Sequence, residues 1–183
     1  MSFSDESGSG SYNVAVGSSA PDFCLTSDND MPWRMSDNLG KVTVLLFYPQ
    51  NETLVCNRQL CAVRDNWDNY LATGATIVGI SQGLPNEHRK FAARLDLPIR
   101  LLADPDRRLT REYVKHWLYP ISLTRGIVIV DAKGIVRNRD IMLRSFRPLD
   151  SQLITDIYAA RGDALHDSYR QLKQRATALT SSK

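Results

Sequence analysis

The feature that most constrains the fold of this chain is a series of strand-length apolar runs, each followed by a segment with helical periodicity. The runs "KVTVLLFY" (41–48), "ATIVGIS" (75–81) and "IRLLAD" (99–104) are nearly continuous, which is typical of strands covered on both faces. Buried strands that alternate with helices predict a central sheet with helices packed on its two faces.

Helical periodicity and turn signals fill the intervals between these runs. Leu60, Val63, Trp67 and Leu71 recur at helical spacing, and Gly74 ends the predicted helix. The remaining predicted elements are a hairpin in 22–35, helices in 86–95 and 105–117, two strands around a turn in 126–141, and one or two helices in 149–176. This order predicts an α/β fold, a three-layer sandwich with a mixed central sheet flanked by helices.

The start of the chain differs in composition from the remainder. Five of the first eleven residues are serine, so this stretch has little apolar surface to bury. We therefore expect residues 1–19 to form a flexible Ser/Gly-rich arm and residues 20–183 to form a single domain that ends in a C-terminal helix. With 43% hydrophobic residues among 183, the chain has material for one full core.

Charge and hydropathy narrow the classes of partner. The net charge is +3, from 23 basic and 20 acidic residues, which is too balanced to predict a nucleic-acid partner. The apolar runs are far shorter than the roughly 20 residues that span a bilayer, so no membrane partner is predicted. Asp5 and Glu6 near the start are unlike a targeting peptide, and we expect a cytoplasmic protein.

Two cysteines five positions apart, Cys56 and Cys61, follow the first apolar run. If Thr53 is the helix N-cap, Cys56 is the third helical residue, where the helix dipole and unpaired N–H groups favour a thiolate. Arg58 and Arg64 add positive charge nearby. Ideal helical geometry puts the two cysteine Cα atoms about 9 Å apart, whereas a disulfide needs less than about 7 Å. The two cysteines can therefore pair only if the first turns of the helix open.

The cysteines, tryptophans and histidines can also be explained by structural roles. Cys61 fits a small buried apolar residue as well as a redox partner. Cys24, in an alternating strand pattern, is expected in the core, as are Trp67 and Trp117. Zinc ligation is disfavoured because the cysteine spacing differs from zinc motifs and the three histidines are isolated, so neither metal nor cofactor is predicted.

The stretch around the two cysteines resembles a known active-site signature. Pro49-x-x-x-Thr53-x-x-Cys56, directly after "LLFYP" and before "LCAVRDNW", is similar to the signature of the peroxiredoxins. The second cysteine at Cys61 is similar to the arrangement in the peroxiredoxin Q, or bacterioferritin comigratory protein, group. The resemblance covers roughly 20–139 and includes four further landmarks in the expected order, "APDFCL", "IVGIS", "HRKFAARLDLPIRLLADPD" and "RGIVIVDAKGIVR".

This resemblance implies a thioredoxin-like fold, an antioxidant peroxidase activity and a role for each motif residue. Cys56 would attack a peroxide O–O bond, and Cys61 would resolve the resulting sulfenic acid as an intrachain disulfide. Thr53 would orient the peroxide, Pro49 would shield the pocket from water, and Arg125 would lie at its back. Thioredoxin or a similar dithiol protein would be the reductant, hydrogen peroxide and organic hydroperoxides the substrates, and the enzyme a monomer.

The chain departs from the group at three places, one of which is "SQGLPNEH" in place of the usual acidic stretch after "IVGIS". Asn57-Arg58-Gln59 follows the first cysteine where Thr-Thr-Glu is frequent, which removes a carboxylate and adds a cation. Arg125-Gly126-Ile127 stands where Arg-x-Thr is usual, which removes a hydroxyl. Three rival functions stay open: a thioredoxin-like binding or chaperone module without turnover, a thiol-disulfide oxidoreductase acting on proteins, and a one-cysteine peroxidase in which Cys61 is idle.

Overall fold

The computed structural model of the protein describes residues 14–49, 54–116, 118, 120–143 and 150–162, with the side chains of 54–57 and 143 excepted. Its strands are β1 (Cys24–Thr26), β2 (Pro32–Arg34), β3 (Thr43–Phe47), β4 (Thr76–Ser81), β5 (Arg100–Ala103), β6 (Thr124–Val130) and β7 (Val136–Leu143). Its helices are α1 (Leu54–Asp65), α2 (Trp67–Ala72), α3 (Pro85–Leu95), α4 (Arg108–Val114) and α5 (Asp150–Arg161). Short 3₁₀ turns occupy Ser36–Asn38 and Ile121–Leu123.

A five-stranded sheet forms the centre of the molecule, in the order β5-β4-β3-β6-β7. β3 runs parallel to β4, and β4 runs parallel to β5. β6 pairs antiparallel with both β3 and β7. The predicted mixed sheet is confirmed, and the strand after the first cysteine helix lies beside β3, as expected of a β-α-β crossover.

Side chains that alternate along β3 build a core on each face of the sheet, because successive side chains of a strand point to opposite faces. Leu46 and Tyr48 belong to a cluster with residues of α1, α2, α3 and α5. Leu45 and Phe47 belong to a second cluster with α4 and the β1–β2 hairpin. Helices therefore cover both faces, and the three-layer sandwich predicted from the sequence is confirmed.

The predicted helix after β3 is interrupted at Asn66, which separates α1 from α2 and has φ −106° and ψ 20°. Of the residues at helical spacing, Leu60 and Val63 are buried, whereas Leu71 is 62% exposed. The interruption shifts the phase of the second segment, so that Tyr70 faces the core and is fully buried. Trp67 packs partly buried against the same cluster, as predicted.

Cys24 is exposed, so the prediction that it is a core residue was also wrong. The β1–β2 hairpin is predicted correctly, but Cys24 and Thr26 point away from the core while Leu25 between them packs against it. The alternating pattern of a half-buried strand leaves its phase open, and a one-residue shift exchanges the two faces. Trp117 lies outside the described residues.

Residues 14–19, which we assigned to the arm, contact the turn between β6 and β7. Val14 is buried in the core, and the Gly17 N–H donates to the Val136 carbonyl at 2.8 Å. The Val136 N–H donates in turn to the Ser18 carbonyl at 2.9 Å. The packed chain therefore begins before Ala20, and the first 13 residues lie outside the described part. Among the described residues, no helix combines the length and the apolar character that a membrane crossing requires.

Candidate active site

Helix α1 begins directly after the central strand. It starts at Leu54, so Thr53 occupies the position before the first helical residue and Cys56 is the third residue of the helix. This is the placement that the sequence predicts, although Thr53 itself lies outside the described residues. The backbone of Cys56 therefore lies in the first turn, where unpaired N–H groups create a positive potential.

The end of β3 brings Pro49 to the start of this helix. The Tyr48 N–H donates to the Ile80 carbonyl at 3.0 Å, which extends the ladder between β3 and β4 by one residue. Tyr48 and Pro49 are both buried. Because the chain leaves the sheet at Pro49 and re-enters regular structure at Leu54, the first turn of α1 is at most a short loop away from Pro49.

Strand β6 brings Arg125 to the same end of β3. Leu46 pairs with Ile127 and Phe47 pairs with Gly126, so Arg125 lies at the register position of Tyr48. Ile127 and Leu46 belong to the cluster that α1 covers, and Arg125 shares their face because it lies two residues from Ile127. The structure thus places the fully buried Arg125 beside the C-terminal end of β3, on the face of the sheet where α1 begins.

The two neighbours of Arg125 in the motif have structural roles. The Ile127 side chain, 1% exposed, fills the core where the related motif carries a threonine. On the opposite face, a Cβ built on Gly126 would lie 2.2 Å from Val114 Cγ1 of α4. Glycine therefore permits the close approach of α4 to β6 at the residue next to Arg125. The sequence motif alone contained no signal for this contact.

Cys61 is a free thiol of intermediate burial that belongs to neither core cluster. It lines an open cavity of about 550 Å³ together with Arg58, Asp65, Asn66 and Asp150. Cys61 is therefore less buried than the core residues of α1, Leu60 and Val63. Since Cys56 and Cys61 belong to one unbroken helix, their Cα atoms stand about 9 Å apart in this state.

The two arginines near the cysteines are placed differently from one another. Arg58 lines the cavity next to Cys61. Arg64 donates to the Leu95 carbonyl at the end of α3 at 2.7 Å, and its Nη2 donates to Asp65 Oδ1 at 2.7 Å. The hydrogen bond to Asp65 raises the pKa of Arg64, and the negative charge of Asp65 adds to this effect. The positive charge of Arg64 therefore lies near the Cys61 end of α1, away from the first turn that carries Cys56.

Two residues of the cavity wall that the sequence did not single out, Asn66 and Asp150, are joined to each other and to Tyr70. Asn66 Nδ2 donates to Asp150 Oδ2 at 3.0 Å, and Tyr70 Oη donates to Asp150 Oδ1 at 3.1 Å. Asp150 is the first residue of α5, 84 and 80 positions from the two donors. A single sequence carries no signal for a contact at this separation.

A fully buried histidine lies behind Tyr48. The rings of Tyr48 and His88 are 6.5 Å apart between centroids, and His88 is 0% exposed. Burial lowers the pKa of His88, while hydrogen bonds with the backbone of Ser81 and Leu102 act in the opposite direction. The neutral imidazole is therefore favoured in the wall behind the Tyr48-Pro49 segment. Within the described residues, no group of three or more histidine, cysteine or acidic side chains is arranged to hold a metal ion.

Comparisons with known proteins agree with this geometry. The family model described as "AhpC/TSA family" matches residues 16–139. A chloroplastic peroxiredoxin Q of Sedum lineare is 34% identical over 125 residues, which cover 68% of this chain and 67% of that protein. A putative peroxiredoxin bcp of Coxiella burnetii is 33% identical over 101 residues, which cover 55% of this chain and 67% of that protein.

The solved structures include a similar fold, and several plant relatives are longer than this chain. The peroxidoxin BcpB of Mycobacterium tuberculosis superposes with a TM-score of 0.67 and 24% identity, over 82% of this chain and 99% of that one. The match to the chloroplastic peroxiredoxins Q of Populus jackii and Arabidopsis thaliana spans only 59% and 58% of their lengths.

Proposed function

Because this chain belongs to the AhpC/TSA family, whose model matches 16–139, we propose that it reduces hydrogen peroxide and organic hydroperoxides through Cys56 as an antioxidant enzyme. The predicted family and the predicted enzyme class, a thiol peroxidase, are confirmed by the family match and by the peroxiredoxin relatives. The thioredoxin-like fold is confirmed by its structural neighbour. The individual residue roles, the disulfide and the partners form the proposal.

In the proposed first step, the Cys56 thiolate attacks one oxygen of the peroxide. The O–O bond breaks, the sulfur is oxidised to a sulfenic acid, and the other oxygen leaves as water or an alcohol after taking a proton. Negative charge develops on the leaving oxygen, so preorganised donors near it lower the barrier. We assign this role to Arg125 and Thr53, and we assign to Pro49 the exclusion of water.

In the proposed second step, Cys61 resolves the sulfenic acid. The Cys61 sulfur attacks the Cys56 sulfur, the S–O bond breaks, and water leaves with the proton of the Cys61 thiol. The helical separation of about 9 Å exceeds the limit of about 7 Å for a disulfide, so this step requires local unwinding of α1. A dithiol protein of the thioredoxin type then reduces the disulfide by two successive thiol exchanges.

One observation carries the proposal. Helix α1 starts at the C-terminal end of β3, and the fully buried Arg125 lies beside that end on the same face of the sheet. A fully buried guanidinium costs solvation energy, and at this position it supplies fixed donors to the first turn that carries Cys56. The partly exposed Cys61, in a cavity on the same helix, supports the assignment of a resolving role.

The test combines peroxide consumption with intact-mass measurement. We expect consumption in the presence of a dithiol reductant, and its reduction to background in Cys56→Ser. Cys24→Ser is the matched control, since Cys24 is exposed on β1, and this variant should keep the wild-type rate. Insulin reduction without peroxide consumption would instead identify a protein disulfide oxidoreductase.

The mass of the peroxide-treated protein separates the two family mechanisms. We expect a loss of two hydrogens, with a peptide bridge between Cys56 and Cys61. Cys61→Ser should react once with peroxide and then fail to turn over with a dithiol protein. An external thiol adduct on Cys56 as the only product in wild type would contradict the role of Cys61.

The proposal places this enzyme in the cytoplasm as a monomer. Cys24 and Cys61 are free thiols among the described residues, which fits a reducing compartment. The Sedum lineare relative is named chloroplastic, so import of a tagged full chain into an organelle would contradict the proposed location. Sedimentation of the reduced and the oxidised protein tests the monomer, and a stable dimer would contradict it.

A further inference from the structure

The half of α1 that carries Cys61 is fixed to the body of the protein on several sides. Leu60 and Val63, on either side of Cys61, are 1% and 2% exposed. Arg64 Nη1 donates to the Leu95 carbonyl of α3 at 2.7 Å. Unwinding this half of the helix would expose the two apolar side chains and break this hydrogen bond.

The carboxylate of Asp150 fixes the end of the same half. Asn66 Nδ2 donates to the Ala62 carbonyl at 3.0 Å and to Asp150 Oδ2 at 3.0 Å, so one amide joins the last turn of α1 to α5. Tyr70, fully buried in α2, donates to the other carboxylate oxygen at 3.1 Å. Asp150 thus holds both sides of the interruption at Asn66 through hydrogen bonds to a charged acceptor, which are stronger than neutral ones.

The geometry points to Asp150 as a positioning residue that confines the unwinding of α1 to its part before Leu60. This inference rests on the proposed function. Cys61 stays wound and anchored beside the cavity, and Cys56 is the cysteine that moves. Condensation then proceeds as described above, with the Cys61 sulfur attacking a sulfenic acid that has been brought to it.

Removal of Asp150 frees the second half of α1 from α5. Without the carboxylate, the unwound segment extends past Cys61 to the interruption at Asn66. The chain between the two cysteines keeps its length, but Cys61 is no longer held in place beside the cavity, so a smaller fraction of the unwound states brings the two sulfur atoms together. The sulfenic acid survives longer, and excess peroxide converts more of it to sulfinic acid.

The test compares wild type with Asp150→Ala, using mass spectrometry to measure the ratio of disulfide to sulfinic acid at rising peroxide concentration. The peroxide concentration that gives half sulfinic acid should be at least about twofold lower in the variant, because Cys61 is no longer preorganised for the attack. The second-order rate of the first step with peroxide should be unchanged. Tyr70→Phe, which removes one of the two described donors to Asp150 and keeps the ring, should give a smaller shift in the same direction.

Thr155→Ala is the matched control on α5, because the exposed Thr155 hydroxyl bonds only the Ser151 carbonyl of its own helix among the hydrogen bonds described. It should keep the wild-type ratio. Amide hydrogen exchange adds a measurement that needs no variant. On oxidation of wild type, protection should fall at the amides of 58–63, whose acceptors lie in the unwound 54–59, and should persist in 64–72. In Asp150→Ala it should fall in both ranges.

Several results would overturn the inference. Faster disulfide formation in Asp150→Ala, an unchanged ratio, or loss of protection across 64–72 in oxidised wild type would each do so. If wild type forms no disulfide with peroxide, the proposed function fails instead. If wild type forms the disulfide and Asp150→Ala behaves identically, only the role of Asp150 fails.

Discussion

At the scale of the residue, the absence of a side chain at Gly126 determines where the adjacent Arg125 lies. It faces Val114 of α4, and the adjacent Arg125 faces the opposite side, toward α1. A methyl group at Gly126 would overlap Val114 Cγ1 at 2.2 Å, so β6 and α4 would have to separate. Any movement of β6 there also moves the backbone that carries Arg125.

We therefore predict that Gly126→Ala lowers both stability and peroxide reactivity. Overpacking costs about 1–3 kcal/mol, to be measured by urea denaturation. A displacement of Arg125 by a fraction of an ångström should reduce the second-order rate with peroxide about tenfold. The double variant Gly126→Ala/Val114→Ala relieves the overlap and should be less destabilised than the sum of the two single variants. Strict additivity would contradict the contact.

The buried His88 predicts a pH dependence of stability. Its pKa in the folded protein is below the ordinary 6.5, chiefly because of burial. Above 6.5 the imidazole is neutral in both states, and its contribution to stability is fully present. As the pH falls below 6.5, the unfolded chain takes up the proton before the folded chain does, so the free energy of unfolding decreases.

Urea denaturation between pH 7.5 and 5.5, a range set by the ordinary histidine pKa of about 6.5, measures this effect. His88→Gln should flatten the curve, because the side chain no longer titrates. Equal slopes in wild type and His88→Gln would show that other groups carry the dependence.

At the scale of the element, the break between α1 and α2 decides which side chain enters the core. A continuous helix would bury Leu71, but the change of direction at Asn66 buries Tyr70 instead. We predict that Tyr70→Ala costs about 3–5 kcal/mol, as for other large buried rings. Leu71→Ala should stay within about 0.5 kcal/mol of wild type. Urea denaturation of the two variants tests which of these neighbouring side chains faces the core. A larger loss of stability in Leu71→Ala than in Tyr70→Ala would contradict the helix break at Asn66.

This element also shows what a single sequence can predict. Apolar runs identified β3, β4 and β5, because burial on both faces requires continuous hydrophobicity. The turn within 126–141 identified β6 and β7. The start of α1 and the position of Cys56 followed from local capping rules. The break at Asn66 did not, since it is held by Asp150 from a distant part of the chain. The exposure of Cys24 was missed because a three-residue strand carries too little pattern to set its phase.

At the scale of the whole molecule, the candidate site is assembled from parts that lie far apart in the chain. α1 brings the cysteines, and β6, which pairs antiparallel with β3, brings Arg125. These parts become neighbours only through the register of the sheet. For this reason hydrophobic periodicity could not predict the role of Arg125, and only the resemblance to a family motif did. A charged group in a fully buried position also sets function against stability, because the interior must hold a guanidinium that water solvates better.

Arg125→Met tests this opposition. Methionine has a similar length and no charge, so folding of the variant does not require desolvation of a guanidinium. We predict an unchanged or higher free energy of unfolding together with a second-order rate with peroxide that is lower by about 10²–10³, as for the loss of a preorganised donor. The control is Arg139→Met on β7, whose guanidinium donates to the Tyr113 and Lys115 carbonyls at the end of α4.

The control should show the opposite signature. Arg139 satisfies carbonyls at the end of a helix, so Arg139→Met should lose about 1–2 kcal/mol of stability and keep most of its rate with peroxide. Urea denaturation and stopped-flow Trp fluorescence measure the two quantities on the same samples. If both arginine variants lose stability and rate in parallel, Arg125 holds the sheet together and contributes nothing specific to the chemistry. Only a loss of rate without a loss of stability assigns its charge to the developing negative charge on the peroxide.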